Sequence, residues 1–241
     1  FSFDFDKITA SSIVVALGHA FFTLSLGMGA IMAYGSYMPQ QTSIGKTVLI
    51  VALLDTLVAL AAGLVIFPVV FSNGLEAGAG PGLLFQTLPL AFSQMSGGIF
   101  FGSLFFILVA FAAFSSAISL AEPVVAWAVE SKGVSRVTAA SVVGVLIWLL
   151  GIGSVLSFNY WSEYKLLGKT LFDLLDFLTA NIMLPLGGLL IAVFVGWVMH
   201  QEEVRAEVNM KVGWLYQSWH LILKYIAPLA VAVVLVNGLI E

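Results

Sequence analysis

A single carboxylate, Asp55, lies alone in a long apolar stretch of the sequence. The residues from Thr47 to Leu75 are otherwise uncharged. An isolated acid in such a stretch is costly to place in a membrane, and acids of this kind often serve an ion or substrate path. Asp55 is therefore predicted to be protonated, to face a polar cavity or to pair with a cation. The alternative is a neutral acid that is hydrogen-bonded to a neighbouring helix.

Three small residues in a later apolar stretch have the spacing of one helix face. Ala112, Ser115 and Ser116 stand at i, i+3 and i+4, so a helix presents them side by side. One exposed carbonyl and two hydroxyls form a neutral half-cage of hard oxygen atoms, which suits an alkali cation better than a soft metal. The alternative is ordinary helix packing, which small residues commonly mediate in membranes.

The first apolar stretch contains two hydroxyls and two glycines at its middle, in the segment Thr23-Leu-Ser-Leu-Gly-Met-Gly29. These residue types weaken a helix. If the helix unwinds there, the freed N–H and C=O groups need partners other than lipid, and a polar ligand or ion in a protein-lined cavity supplies them. The alternative, which this segment alone favours, is an unbroken helix whose small residues permit close packing.

Motifs of enzymes and of nucleic-acid binding are missing from the sequence. It has no Cys, no phosphate-binding loop, no His-Glu-x-x-His and no Gly-x-Ser-x-Gly, and its three histidines are far apart. The sequence contains no nucleophile–base pair that would suggest an enzyme. The net charge of −4 gives no basic surface for nucleic acid.

The composition indicates an integral membrane protein. Charged residues make up 9% of the 241 residues and hydrophobic residues 61%, whereas soluble domains carry roughly 25% charged residues. Continuous apolar runs predict helices rather than a barrel. We therefore predict an all-α polytopic protein, with a loop containing short helices over about 73–98. Six spans are expected, at about 10–38, 46–71, 99–129, 136–157, 171–199 and 217–239.

The distribution of basic residues predicts the orientation of these spans. One set of loops and span ends carries Lys46, Lys132, Arg136, Arg205, Lys211 and Lys224, and the other carries Lys7, Lys165 and Lys169. The positive-inside rule places the first set in the cytoplasm, so the first span begins outside. The expected location is a plasma membrane, namely a bacterial inner membrane.

The segment from Phe21 to Ile31, followed by Tyr34-Gly-Ser-Tyr37, resembles the sixth transmembrane helix of the neurotransmitter:sodium symporter family, particularly its bacterial amino-acid transporters. Gly63 to Phe67 resembles the seventh helix of that family, and Phe111 to Pro123 resembles the eighth. Gly80 to Phe85, with Pro89, resembles its fourth extracellular loop.

The resemblance implies the architecture of the chain. The six spans would be helices six to eleven of a LeuT-type inverted-repeat fold, with the first span unwound at its middle. Residues 10–199 would form the second repeat, and 217–239 one more helix. The chain opens at Phe1 in what reads as a loop, so helices one to five of the same transporter are expected to be missing partners.

The resemblance also implies roles for individual residues. Sodium ligands of a first site would be Thr23 and Asp55, and those of a second site Ala112, Ser115 and Ser116. The substrate pocket, suited to a hydrophobic L-amino acid, would be lined by Phe22, Thr23, Ser25, Met28 and Leu120. The extracellular gate would include Asp176, and the cytoplasmic gate Glu130 with Tyr37 as its hydrogen-bonding tyrosine.

Two positions depart together from the chloride-dependent members of the family. Asp55 stands where those members carry an Asn sodium ligand, and Ala59 where they carry a chloride-binding Ser. The resemblance then implies that the fixed charge of Asp55 makes chloride unnecessary. The predicted function is chloride-independent symport of an amino acid with Na⁺ across the lipid bilayer, by alternating access and without an organic cofactor. An ion channel or passive pore for small solutes is the alternative.

Overall fold

The computed structural model describes residues 8–39, 41–72, 74, 80–209 and 213–240, and most of them are helical. The all-α prediction is confirmed. Lys7, Lys211 and most of the Gly-rich stretch after Ser72 lie outside the described residues. In chain order the main helices are α1 Ala10–Thr23, α2 Ala30–Ser36, α3 Ile44–Ser72, α4 Leu88–Gln94, α5 Gly98–Lys132, α6 Arg136–Ser157, α7 Leu171–Val198, α8 Gln201–Val208 and α9 Trp214–Ile240.

Among the described residues, five helices are long and apolar enough to cross a membrane, namely α3, α5, α6, α7 and α9. Each matches one predicted span to within about one turn. The remaining predicted span, 10–38, which is the first in the chain, is not one helix. It consists of α1, with 14 residues, and α2, with 7 residues, and neither has the length of about 20 residues that a continuous span requires.

Side chains at the helix starts explain where several of these helices begin. Thr9 and Ser12 form a capping box at α1, and Thr170 and Asp173 form another at α7. The Ser135 hydroxyl accepts a hydrogen bond from the backbone N–H of Thr138 at the start of α6. Such caps satisfy backbone donors that the helix leaves free, and each contributes about 1 kcal/mol.

Three short π-helical segments each end two residues before a proline. Leu83–Thr87 precedes Leu88-Pro89, Phe177–Met183 precedes Leu184-Pro185, and Ile222–Ile226 precedes Ala227-Pro228. In each case the residue before proline donates to the carbonyl five positions earlier. Proline has no N–H, and its ring clashes with the carbonyl four residues earlier. A wider π turn ahead of the proline accommodates both effects.

The chain forms two compact units, one of residues 1–45 and 120–241 and one of residues 46–119. In the first unit α7 packs against α9, and α1 packs against both. Leu184 and Val231 are buried in this core, with 5% and 2% of their surface exposed. In the second unit α4 packs against α5, where the Phe92 and Phe105 ring centroids lie 5.6 Å apart.

Candidate functional site

The first predicted span is broken between α1 and α2. Six residues, 24–29, separate the two helices, and Ser25, Gly27 and Gly29 have left-handed φ values of 53°, 82° and 83°. Glycine adopts this conformation freely, whereas it costs other residues about 1–2 kcal/mol. The structure therefore confirms the predicted break and excludes the unbroken helix that the local sequence favoured.

The broken segment leaves backbone donors available. Leu24, Ser25 and Leu26 donate their N–H groups to carbonyls at the end of α1. Within the described part of the chain, the N–H groups of the next three residues, 27–29, have no backbone acceptor. Unpaired backbone groups are expensive away from water. A bound solute with negative or polar oxygen atoms is the kind of partner that satisfies them.

Four of the five predicted substrate residues lie at this break. Phe22 and Thr23 are the last residues of α1 and are exposed, while Ser25 and Met28 lie in the broken segment and are half-buried. The fifth residue, Leu120, lies in α5 and is 45% exposed.

The end of the break lies beside α5. A Cβ built on Gly29 would lie 3.4 Å from Cγ of Pro123. Because Leu120 is three residues before Pro123 on the same helix, the break and this part of α5 are close together.

The predicted sodium ligands outside the break belong to the other unit. Asp55 and Ala59 lie near the middle of α3, and the side chain of Asp55 is half-buried. In α5, the Ser115 hydroxyl donates to the Ala112 carbonyl at 2.9 Å. The hydrogen bond joins two oxygen atoms on one face of the helix, Ser116 is the next residue, and the role of these three residues as sodium ligands stays a prediction. The hydroxyl oxygen keeps lone pairs that suit a hard cation.

A hydrogen-bonded cluster joins the end of the first span to α5 and α6. The Tyr37 hydroxyl donates to Glu122 Oε1 at 2.6 Å. Nη2 of Arg136 donates to both carboxylate oxygens of Glu122, at 2.9 and 2.7 Å. The Glu122 side chain is 16% exposed and that of Arg136 60%. We call Tyr37, Glu122 and Arg136 the inner cluster, because the predicted orientation places it on the cytoplasmic side.

The inner cluster changes one expectation from the sequence. The sequence paired Tyr37 with Glu130 in a cytoplasmic gate and gave Glu122 no role, whereas the structure gives the only hydroxyl proton of Tyr37 to Glu122. The available signal was an acid directly before Pro123 in an otherwise apolar helix. Glu130 and Asp176 are exposed near helix ends, and their roles as gate residues stay predictions.

These features define a class of protein. In the part of the chain that the structure describes, five apolar helices of spanning length and two shorter helices separated by a break are typical of a multi-pass membrane protein of the secondary-transporter type.

Comparison with known proteins gives the family. The chain matches the sodium:neurotransmitter symporter family over residues 1–241, and it belongs to that family. It is 40% identical to an uncharacterised sodium-dependent transporter, YhdH, of Bacillus subtilis over 97% of this chain. It is 34% identical to an uncharacterised sodium-dependent transporter of Haemophilus influenzae over 98% of this chain. The chain spans 52% of the length of each of these relatives.

A solved structure shares the fold. The crystal structure of MhsT in complex with L-phenylalanine superposes with a TM-score of 0.86 at 42% sequence identity, over 95% of this chain and 52% of the MhsT chain. The chain is therefore part of a LeuT-type fold, and its family is one of sodium-coupled transporters rather than enzymes.

Proposed function

We propose that the full-length protein containing this chain is a sodium-coupled symporter of hydrophobic L-amino acids. The observation that carries the proposal is the break in the first span, because it exposes backbone donors beside apolar side chains. The N–H groups of residues 27–29 suit a carboxylate, and the exposed Phe22 and Leu120 suit an apolar side chain. The related MhsT, whose structure holds L-phenylalanine, supports this substrate class.

In this proposal each binding residue has a distinct task. Phe22, Met28 and Leu120 contact the substrate side chain, while Ser25 and the broken backbone bind its polar end. Thr23 and Asp55 supply ligands to one sodium ion, and Ala112, Ser115 and Ser116 to another. If the substrate and sodium share a site, each raises the affinity of the other by the same factor. The 241-residue chain holds half of each site and is not expected to transport alone.

Ligand-dependent stability of the full-length protein tests the proposal. We expect hydrophobic L-amino acids to raise the thermal midpoint in NaCl but not in KCl, with the corresponding D-enantiomers as matched controls. A ligand at 100 times its dissociation constant adds about 2.7 kcal/mol of stability. Equal stabilisation in both salts would contradict sodium coupling.

Flux measurements on the same protein in proteoliposomes distinguish a symporter from a pore. Uptake should require an inward sodium gradient and should saturate with the amino acid. A channel or passive pore would instead carry current without substrate. Uptake that persists when sodium is replaced by choline would also exclude the symporter.

Replacement of chloride tests the role proposed for Asp55. The negative charge of Asp55 near a sodium ion would compensate the positive charge of that ion, as chloride does in the chloride-dependent members of the family. Uptake by the wild-type protein should be unchanged when external chloride is replaced by gluconate, whereas the D55N/A59S variant should need chloride. Chloride-dependent uptake by the wild-type protein would refute this role.

A further inference from the structure

The backbone of the broken segment touches the backbone of α7 directly. A Cβ built on Gly187 would overlap the carbonyl oxygen of Gly27. A Cβ built on Gly27 would overlap the carbonyl oxygen of Leu184 and lie 2.7 Å from the Gly188 nitrogen. We call Gly27, Gly187 and Gly188 the glycine contact. A side chain at Gly27 or Gly187 would fit only if one of the two backbones moved, whereas a side chain at Gly188 would meet the Phe21 ring.

The two glycines of α7 are not needed for the conformation of their own helix. Both lie inside its α-helical part, Leu184–Val193, and neither has a positive φ. A glycine inside a helix is less favourable than alanine by about 0.8–1.0 kcal/mol. Gly187 and Gly188 therefore weaken α7 locally, and the space they leave is occupied by the broken segment.

The surroundings of the contact let the broken segment move. An apolar cavity of about 250 Å³ lies beside it, lined in part by Ser25, Leu26 and Gly29 of the break, by Met32 of α2 and by Gly188 of α7. A methyl group added at Gly187 would push the Gly27 carbonyl, and the neighbouring segment has room to shift without unpacking the helices. The expected result is a displaced break in a folded protein.

We infer that Gly187 and Gly188 are positioning residues for the binding site at the break. Because these glycines have no side chain, the segment of residues 25–29 packs directly against the backbone of α7. This contact determines the position of the hydroxyl and N–H groups that would bind sodium and substrate. This inference deepens the proposed function and, for its effect on binding, rests on it. Substitution of a residue that does not bind the metal itself but orients its ligands typically lowers metal affinity by about 10- to 100-fold.

Alanine variants of the full-length protein test the inference. We expect G187A to weaken sodium-dependent amino-acid binding by about tenfold or more, while its ligand-free thermal midpoint stays close to that of the control. G151A in α6 is the matched control, because a Cβ built on Gly151 meets nothing within 4 Å. Binding by G187A equal to that of G151A would overturn the inference. A lower thermal midpoint with unchanged affinity would show a purely structural role and would also overturn it.

A second pair of variants distinguishes the two glycines of α7. A Cβ on Gly188 would lie 2.6 Å from Cε1 of the Phe21 ring, which is a side chain and not a backbone atom. The F21A substitution should therefore restore binding to G188A, relative to F21A alone, but not to G187A. Equal rescue of both variants, or of neither, would contradict the assigned contacts.

Hydrogen exchange of the same variants separates failure of this inference from failure of the proposed function. G187A should increase the exchange of the amides of residues 24–30 in the absence of any ligand, and G151A should not. If the wild-type protein binds no amino acid with sodium, the proposed function is wrong, and the exchange result still decides whether Gly187 positions the break. Unchanged exchange in G187A would overturn the positioning role.

Discussion

Removal of the Tyr37 hydroxyl should weaken sodium binding by the full-length protein. Tyr37 donates to Glu122 across the end of the first span, and the inner cluster thereby holds that end against α5. In the alternating access predicted for the symporter that we propose, sodium that enters from outside binds while the cytoplasmic side is closed. The Y37F substitution should open the cytoplasmic side more often and so reduce the fraction of the protein that can bind sodium.

The size of the expected loss of sodium affinity follows from the charge of the hydrogen-bond acceptor and from the exposure of Tyr37. A hydrogen bond to a charged group contributes about 1.5–3 kcal/mol. Because Tyr37 is 59% exposed, we use the lower value of about 1.5 kcal/mol, which changes an equilibrium about twelvefold. If the closed and open states are equally populated in the wild-type protein, the closed fraction falls from one half to about 0.08. The sodium concentration for half-saturation then rises about six- to sevenfold.

Sodium titrations of amino-acid binding to Y37F check this value. Y164F is the control, because Tyr164 is 75% exposed and lies outside the inner cluster. In an E122Q background the Y37F substitution should have a smaller effect, because the charged acceptor is gone. Unchanged or tighter sodium binding by Y37F would refute the reasoning, as would an equal effect of Y37F with and without E122Q.

Three further predictions concern thermal unfolding in detergent. G153A should destabilise the protein by about 1–3 kcal/mol, because its Cβ would lie 2.7 Å from Cδ2 of Leu171. G144A is the control and should not destabilise the protein, because its Cβ would meet nothing within 4 Å. Equal thermal midpoints for the two variants would contradict this prediction. T170A should cost about 1 kcal/mol through loss of the cap on α7, and an unchanged midpoint would argue against the cap. N181A should cost about 0.6–1 kcal/mol, because its Nδ2 donates at 2.9 Å to a backbone carbonyl of α9; a more stable variant would count against that bond.

The spans could be predicted from sequence because the membrane restricts what an apolar run can form. In the bilayer the backbone must bond internally, so a long uncharged run becomes a helix. The prediction for α6, at 136–157, matches its observed bounds. The break at residues 24–29 was harder, because local residue types allow both a packed helix and an unwound one. The resemblance to a family decided that point, and the structure agrees.

The contacts of the site could not be predicted, because they depend on residues far apart in the chain. Tyr37 and Glu122 are 85 positions apart, and nothing in either local sequence selects the other. Gly187-Gly188 is an unremarkable pair in an apolar helix until Gly27 is placed against it. The sequence also gave no sign that each of Pro89, Pro185 and Pro228 follows a π turn.

Those π turns change how sequences of this family should be compared. A π turn holds one more residue than the helix around it needs, and each residue of an α-helix turns the chain by about 100°. Residues before and after the turn in α7 and α9 are therefore out of phase with a single helical wheel. A homologue that lacks the extra residue would carry its single-residue gap inside a transmembrane segment rather than in a loop. Alignments that forbid gaps within spans would then assign Gly187 and Gly188 to the wrong helix face.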